Sequence, residues 1–229
     1  MNLQTIHRIL LTRRLCFSVI TSGKSIILMY IESKNCYFLD ETLMFKNEPE
    51  SHDDIYNIGL YYPISRGDSS DNSSCNLTDR ILTLKRGGKT GYCQGSEVDY
   101  FSYRLESEYL DLNSEVFIVI IPSHDPCKLE SGILSIARKL SRNRNFVNAA
   151  KCLRRKYKKE KLSSGGDRSL NTQLDSLELT NPELIKGNNI LLLDDVTTSG
   201  NSLKAGEILL KKSGASSVVL LALGRTVSC

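Results

Sequence analysis

The chain has 229 residues, 40% of them hydrophobic, and carries 30 Lys and Arg against 26 Asp and Glu, for a net charge of +4. This length fits one large domain, or one domain with an accessory lobe, and the apolar fraction supports a packed core. The modest positive charge permits contact with nucleic acid but does not argue for it.

The seven cysteines are scattered and form no C-x-x-C pair, which disfavours a zinc ribbon and a disulfide framework. Reduced thiols in a cytoplasmic protein are therefore expected, and no apolar run reaches the ~18 residues of a membrane span. The first 30 residues are basic and contain no acid, but they lack the clean apolar region and cleavage site of a targeting segment. An ordinary N-terminal helix and strand are expected instead.

The N-terminal third of the chain predicts short strands and loops. Residues 25–31 and 36–39 are typical of two strands joined by a hairpin turn at Ser33-Lys34-Asn35, and residues 55–64 of a further strand. Residues 66–78 are polar and low in complexity, which predicts a loop or linker.

An apolar-basic segment at 80–85 and a glycine-rich stretch at 87–95 precede a predicted helix at 98–112. From Val116 onward, apolar strands alternate with amphipathic helices, which is the α/β pattern. The predicted organisation is a mixed α+β accessory region of unknown role at 1–80, a connecting segment at 81–111 and an α/β domain at 112–229.

The first strand of that domain is fully apolar, at 116–121, and runs into a loop with two prolines before a predicted helix at 128–142. Ser123 and the loop's backbone amides can donate hydrogen bonds and Lys128 adds a cation, which suits an anion, although the prolines also fit a simple tight turn. His124 can protonate a leaving group. An exposed loop histidine is the favoured interpretation.

Seven of the twelve residues at 150–161 are Lys or Arg. Such a run is usually a solvated face. The alternative is a strand that leads into a mobile basic loop with Gly165 and Gly166 as hinges, closing over a bound anion. A loop that binds nucleic-acid phosphates is the competing interpretation.

The most informative motif is ILLLDDVTTSGNS at 190–202. Its apolar residues predict a strand buried on both faces. Asp194 and Asp195 follow, and carboxylates there accept hydrogen bonds from a vicinal diol or hold a metal. The backbone N–H groups of residues 197–202 can converge on a phosphate, and Gly200 permits its close approach.

A helix at 203–213 and a strand at 217–223 complete a βαβ unit around this motif. The hydroxyl-rich loop then lies at the carboxyl edge of a parallel sheet and at a helix N-terminus, where phosphate is favoured. The pattern predicts a ribose 5-phosphate site. The alternative is an ordinary strand-to-helix loop with a fortuitous acidic pair.

This motif resembles the phosphoribosyl-pyrophosphate (PRPP) binding motif of type I phosphoribosyltransferases: a hydrophobic strand, two acids, two further residues and a Thr/Ser-rich turn around a glycine. The order of the segments narrows the resemblance to the competence-factor-F (ComF-like) branch. RILTLKRG at 80–87 precedes the 116–121 strand, CLRRKYKKEK at 152–161 precedes the motif, and LGRTVSC ends the chain. The resemblance spans about residues 80 to 226 and rests mainly on 190–202.

The resemblance implies an α/β fold, a type I phosphoribosyltransferase-like open parallel sheet flanked by helices, and roles for individual residues. Asp194 and Asp195 would bind the ribose and, with Arg168, act in catalysis. The 5′-phosphate site would comprise Val196, Thr197, Thr198, Ser199, Gly200, Asn201 and Ser202. The pyrophosphate site would comprise Pro122, Ser123, His124, Lys128 and Lys161. Mg²⁺ would bind through PRPP, bridging its pyrophosphate and ribose hydroxyls, without direct protein ligands.

Two departures from the family pattern bear on function. Thr198 stands where 6-oxopurine salvage enzymes hold an Asp near the base, and threonine is no comparable general base, which argues against hypoxanthine or guanine salvage. The four-cysteine zinc module usual in the ComF-like branch cannot be formed at these cysteine spacings.

The implied function is transfer of a 5-phosphoribosyl group from PRPP to a nitrogenous base or related acceptor, with release of pyrophosphate. Two alternatives stay open. One is a non-catalytic regulatory protein that binds PRPP or a nucleoside monophosphate. The other is an accessory factor in DNA uptake or handling that uses the basic 151–161 segment. A homodimer is compatible with each of these functions.

Overall fold

The computed structural model describes residues 17–22, 25–30, 37–38, 43–45, 50–63, 75–86, 93–112, 115–128, 130–158 and 169–227. The helices are α1 (Cys75–Arg86), α2 (Cys93–Arg104), α3 (Gly132–Leu140), α4 (Leu170–Ser176) and α5 (Asn201–Lys212), with a π-helical turn at Leu105–Tyr109 and a 3₁₀ turn at Pro182–Leu184. The strands are β1 (Phe17–Ser22), β2 (Ser25–Tyr30), β3 (Tyr37–Phe38), β4 (Leu43–Phe45), β5 (Glu50–His52), β6 (Ile55–Asn57), β7 (Leu60–Tyr61), β8 (Leu110–Leu112), β9 (Val116–Ile120), β10 (Phe146–Asn148), β11 (Leu153–Arg155), β12 (Leu177–Leu179), β13 (Asn189–Thr197) and β14 (Ser217–Thr226).

The main sheet is open and mostly parallel. Its seven strands run in the order β10-β9-β13-β14-β6-β5, with β7 also pairing with β14, and only the β5–β6 pair is antiparallel. The predicted α/β fold class, an open parallel sheet flanked by helices, is confirmed. Central parallel strands must be apolar on both faces, as β9 is throughout and β13 is from Ile190 to Leu193.

Successive residues of the central strands enter two separate cores. Ile118 and Leu191 pack in one cluster with residues of α1, α2 and α3, including Ile81 and Phe101. Their strand neighbours pack on the other face with Leu203 and Leu210 of α5, Leu153 of β11 and Ile185. Because successive strand residues point to opposite faces, both faces of the sheet are apolar and are covered by helices. Loops occupy the carboxyl edge of the sheet.

Three small strand groups lie outside the main sheet: β1–β2, β3–β4–β8 and β11–β12, each antiparallel. The predicted hairpin between residues 25–31 and 36–39 is wrong, because β2 pairs with β1 and β3 pairs with β4. Only Gly23-Lys24 separates β1 from β2 in sequence, and a two-residue connection favours a hairpin more than a longer one.

The helix boundaries before residue 112 also differ from expectation. Helix α1 begins at Cys75, so residues 75–78 are not the predicted loop, and the helix predicted at 98–112 lies at 93–104. Residues 110–112 instead form β8. The predicted strand at 55–64 is two short strands, β6 and β7. Both α1 and α2 carry many polar residues on their outer faces. These residues make the apolar residues that pack each helix into the core difficult to recognise in the sequence.

The division of the chain at residue 112 stays a prediction, but the main sheet takes strands from both sides of that position. Strands β5, β6 and β7 precede it, whereas β9, β10, β13 and β14 follow it. None of the helices in the described part of the chain has the length and apolar character of a membrane span.

Candidate functional site

The carboxyl ends of β9, β13 and β14 border one cavity of about 610 Å³. Ligands of open parallel sheets bind at this edge. Every predicted site residue within the described part of the chain lines the cavity: Pro122, Ser123, His124, Lys128 and all residues from Asp194 to Ser202. Arg168 and Lys161 lie outside the described residues, as do the hinge glycines Gly165 and Gly166.

Asp194 and Asp195 differ in their surroundings although they are adjacent. The backbone N–H of Asp195 donates to Asp194 Oδ1 at 2.8 Å, and Lys85 Nζ from α1 lies 3.3 Å from Asp195 Oδ1. Burial of its carboxyl group, and then the charge of Asp195, raise the pKa of Asp194 well above its ordinary value. The Asp195 N–H, Lys85 and Arg155 oppose this shift. The pair thus consists of one carboxyl group whose ionisation is disfavoured, Asp194, and one that has a cationic partner, Asp195.

The loop after β13 provides donors to the same cavity. Gly200 is the N-cap of α5 and has a φ of +75°, a left-handed backbone that favours glycine, and it places no capping side chain over the helix N-terminus. An ideal Cβ at this position would lie 2.4 Å from Ile55 Cδ1. Since no N-cap side chain bonds to them, the first N–H groups of α5 are available to an anion. The 12-residue helix also presents the favourable end of its dipole there.

Hydroxyls of this loop are held by neighbouring elements. Thr198 and Thr226, at the end of β14, share a hydrogen bond of 2.8 Å between their hydroxyls. Ser202 Oγ donates to Gln173 Oε1 of α4 at 3.2 Å. These hydrogen bonds restrain the loop, which lowers the entropic cost of binding a ligand.

The second loop, 121–128, is also internally bonded. The Ile121 N–H donates to Leu193 O at 2.9 Å and fixes the start of the loop against β13. Asp125 accepts from the Cys127 N–H at 3.0 Å and pairs with Lys158 Nζ at 3.2 Å, and these contacts lower the pKa of Asp125. Ser123 Oγ lies 3.5 Å from His124 Nδ1. Sequence reasoning did not anticipate a carboxylate anchoring this loop.

Arg155 and Lys85 are the cavity residues that sequence reasoning most clearly missed. The sequence predicts either a solvated basic run at 150–161 or a strand that leads into a mobile basic loop, and neither predicts that Arg155 is only 6% exposed. In β11, Leu153 and Arg155 point inward and Arg154 points outward, and the sequence carries no signal that distinguishes the two arginines. Lys85 gave no signal either, since it comes from a helix that the sequence did not predict.

The basic run does not form one uniform charged surface. Arg154 pairs with Glu178 at 2.7 Å, Lys158 pairs with Asp125, and Arg155 is buried. The four other cations of the run within the described residues, Lys151, Arg154, Lys156 and Lys158, are exposed. No three His, Cys, Asp or Glu side chains of the described residues converge as a metal site.

No family model matches the chain, and no curated protein matches it. It is similar to a hypoxanthine phosphoribosyltransferase structure from Staphylococcus aureus at 10% identity and a TM-score of 0.33, over 67% of this chain and 76% of that chain. A mutant hypoxanthine phosphoribosyltransferase from Trypanosoma cruzi, in a ternary substrates complex, is similar at 14% identity and a TM-score of 0.32, over 67% and 72%. The fold class rests on the strand order and pairing of the main sheet.

Proposed function

We propose that this chain binds PRPP in the cavity and transfers its 5-phosphoribosyl group to a nitrogenous base or related acceptor, with release of pyrophosphate. One observation carries the proposal. The Asp194–Asp195 pair near the carboxyl end of β13, left-handed Gly200 and the uncapped N-terminus of α5 all line the same cavity. These groups complement, in order, a vicinal diol and a phosphate on the same sugar.

Each part of PRPP then has a set of described residues to bind it. The carboxylates of Asp194 and Asp195 accept hydrogen bonds from the ribose hydroxyls. The 5′-phosphate lies against the backbone N–H groups and hydroxyls of residues 196–202, and the pyrophosphate against the 121–128 loop with Ser123, His124 and Lys128. Arg168 and Lys161 keep their proposed roles beside the departing pyrophosphate.

The donor set fits Mg²⁺ bound with PRPP better than an ion caged by protein. Mg²⁺ prefers oxygen ligands and keeps several waters. Two adjacent carboxylates, with no third acid converging on them among the described residues, therefore suit an ion shared with the ligand. The ion would have no direct protein ligand, and Asp194 and Asp195 would contact its waters. When bound, the ion would supply positive charge to the pyrophosphate.

Catalysis in this proposal is mostly positioning and charge stabilisation. Loss of pyrophosphate from C1′ develops oxocarbenium character on the ribose, and a fixed carboxylate pair favours that positive charge. The ordered loops hold the sugar in place and so reduce the entropic barrier to attack by the acceptor. We also propose that the chain is ComF-like within the phosphoribosyltransferase superfamily, and the order of its sequence segments supports this.

A regulatory protein that binds PRPP or a nucleotide without turnover is the second candidate. The Thr198 hydroxyl is bonded to Thr226, and no carboxylate stands at that loop position to act as a base near the acceptor. The DNA-handling alternative loses support from the pairing and burial of Arg154, Arg155 and Lys158. A nucleic-acid partner, a homodimer and a cytoplasmic location stay predictions.

Calorimetric titration with PRPP and Mg²⁺, combined with a pyrophosphate-release assay across nucleobases, tests the proposal. We expect saturable binding that Asp195→Asn weakens by about 10-fold or more, the scale of a hydrogen bond to a charged group. Asp175→Asn is the matched control, because Asp175 is an exposed residue of α4 that does not line the cavity.

Three outcomes separate the candidates. Binding with base-dependent release of pyrophosphate supports the transferase. Tight binding without release from any base supports the regulatory protein. Absence of binding to PRPP, to ribose 5-phosphate and to nucleoside monophosphates would refute both.

A further inference from the structure

Strand β11 carries two consecutive arginines with opposite environments. Arg154 is exposed and its guanidinium pairs with Glu178 of β12 at 2.7 Å. Arg155 is 6% exposed and lines the cavity. Since alternate residues of a strand point to opposite faces, β11 directs one arginine to solvent and the other inward.

The buried guanidinium of Arg155 is held but not fully paired. Its Nη1 donates to Ser176 Oγ at 2.5 Å, and Ser176 Oγ in turn donates to Gln173 O at 2.8 Å. Its Nε has no hydrogen-bond partner among the described residues. Burial lowers the pKa of Arg155, and the negative charge of Asp194 opposes that shift without forming one of the ion pairs seen among the described residues. A buried cation is unfavourable unless an anion and hydrogen bonds compensate it.

The position of Arg155 indicates which anion it would meet. Three residues further along the chain, Lys158 pairs with Asp125 of the 121–128 loop at 3.2 Å. The end of β11 therefore runs toward the loop proposed to bind pyrophosphate. The 5′-phosphate, by contrast, already has the neutral backbone donors of the loop after β13 and the N-terminus of α5.

We propose that Arg155 is a binding residue for the pyrophosphate group of PRPP and for free pyrophosphate. This inference rests on the proposed function and adds a fixed cation from a strand to the loop donors already described. The guanidinium turns toward the ligand and pairs with its phosphoryl oxygens, while Ser176 keeps the side chain in place. Arginine suits this role because it stays protonated and presents planar, paired donors to phosphate.

Calorimetric titration of the full chain with inorganic pyrophosphate and, separately, ribose 5-phosphate tests this inference at fixed Mg²⁺. We expect Arg155→Met to weaken pyrophosphate binding about 10- to 100-fold, the scale of charge-assisted hydrogen bonds, and to change ribose 5-phosphate binding less than about 3-fold. Arg154→Met is the matched control, because it removes the same side chain from the outer face. It should leave both affinities unchanged.

If Arg155→Met does not fold, Arg155→Gln provides the second variant, because its amide can still donate to Ser176. A folded Arg155 variant that binds pyrophosphate like the wild type overturns the inference, and so does a loss confined to ribose 5-phosphate. If the wild-type chain binds neither probe, the proposed function fails. If the wild type binds both and neither Arg155 variant loses pyrophosphate affinity, only the role of Arg155 fails.

Discussion

Asp194 and Asp195 are adjacent in β13, but only Asp195 has a cation within ion-pair distance among the described residues, namely Lys85 at 3.3 Å. Asp194 lines the cavity and is partly exposed, but the surrounding protein limits the hydration of its carboxyl group. Burial disfavours the ionised form, and the neighbouring negative charge adds to the effect. Binding sites often contain carboxyl groups whose ionisation is disfavoured, because a bound ligand compensates the cost of ionisation.

The raised pKa of Asp194 makes stability depend on pH in a defined direction. Because the folded-state pKa lies above the unfolded one, the unfolded chain releases its proton first as pH rises. Stability is therefore lost as pH rises from the unfolded pKa of Asp toward the folded pKa of Asp194, and the loss persists above it. Asp194→Asn removes this loss and should raise the free energy of unfolding at neutral pH by about 0.5–2 kcal/mol.

Urea unfolding of the wild type and Asp194→Asn between pH 4 and 8 measures this effect. We expect the advantage of the variant to grow with pH and then level off. Asp195→Asn is the control, since it removes only the smaller cause of the shift and should retain part of the pH-dependent loss. Equal pH slopes for the wild type and Asp194→Asn would contradict the assignment.

At the scale of elements, the turn between β13 and α5 depends on one glycine in two ways. Gly200 has a φ of +75°, and a Cβ there would lie 2.4 Å from Ile55 Cδ1 of β6. Gly187 has nearly the same φ, +76°, but a Cβ there would meet no atom within 4 Å. A comparison of substitutions at the two positions therefore separates the cost of backbone strain from the cost of a steric clash.

We predict that Gly187→Ala costs about 1–2 kcal/mol, the penalty of a left-handed backbone. Gly200→Ala should cost a further ~1–3 kcal/mol because it also overpacks the contact with Ile55. Gly200→Ala should in addition weaken ribose 5-phosphate binding, whereas Gly187→Ala should not. Denaturant unfolding and calorimetric titration of both variants measure these differences. Equal costs for the two substitutions would show that β6 does not support the turn.

The elements that the sequence predicted well share a strong local pattern. The continuous apolar run of β13, the helix α5 and the apolar strand β14 were recognisable because each pattern reflects burial on defined faces. Their ends were less accurate, since β13 extends through the acidic pair to Thr197 and β14 extends to Thr226. Hydrogen bonds to neighbouring strands, which the sequence does not reveal, decide where a strand stops.

The elements and site residues that the sequence did not predict depend on distant partners. Helix α1 carries many polar residues, and its apolar contacts Ile81 and Leu84 matter only because α2, α3 and the sheet surround them. Arg155 belongs to a basic run whose average character is solvated, and only pairing of β11 with β12 turns it inward. The composition of a segment predicts its average exposure, whereas tertiary contacts decide which of its residues are buried.

At the scale of the whole molecule, residues before position 112 complete both the core and the cavity. Ile81 and Phe101 are fully buried in the cluster that contains Ile118 and Leu191. Strand β6 pairs with β14, and β7 contributes Tyr61 to the cavity wall beside Lys85 of α1. The segment predicted as an accessory and connecting region therefore shares its core with the α/β domain.

A fragment of residues 112–229 should consequently fail to fold cooperatively, although it contains the whole predicted domain. Loss of one buried aromatic or aliphatic side chain costs about 2–5 kcal/mol, and a domain is stable by only about 5–15 kcal/mol. Removing α1, α2 and the π-helical turn at Leu105–Tyr109 takes Ile81, Leu84, Phe101 and Leu105 from the core at once. Thermal unfolding followed by near-UV circular dichroism, together with PRPP titration, should show a sharp transition and binding for residues 50–229 but neither for 112–229. A cooperative, PRPP-binding 112–229 fragment would instead establish the boundary near residue 112 and make the N-terminal segments a separate accessory region.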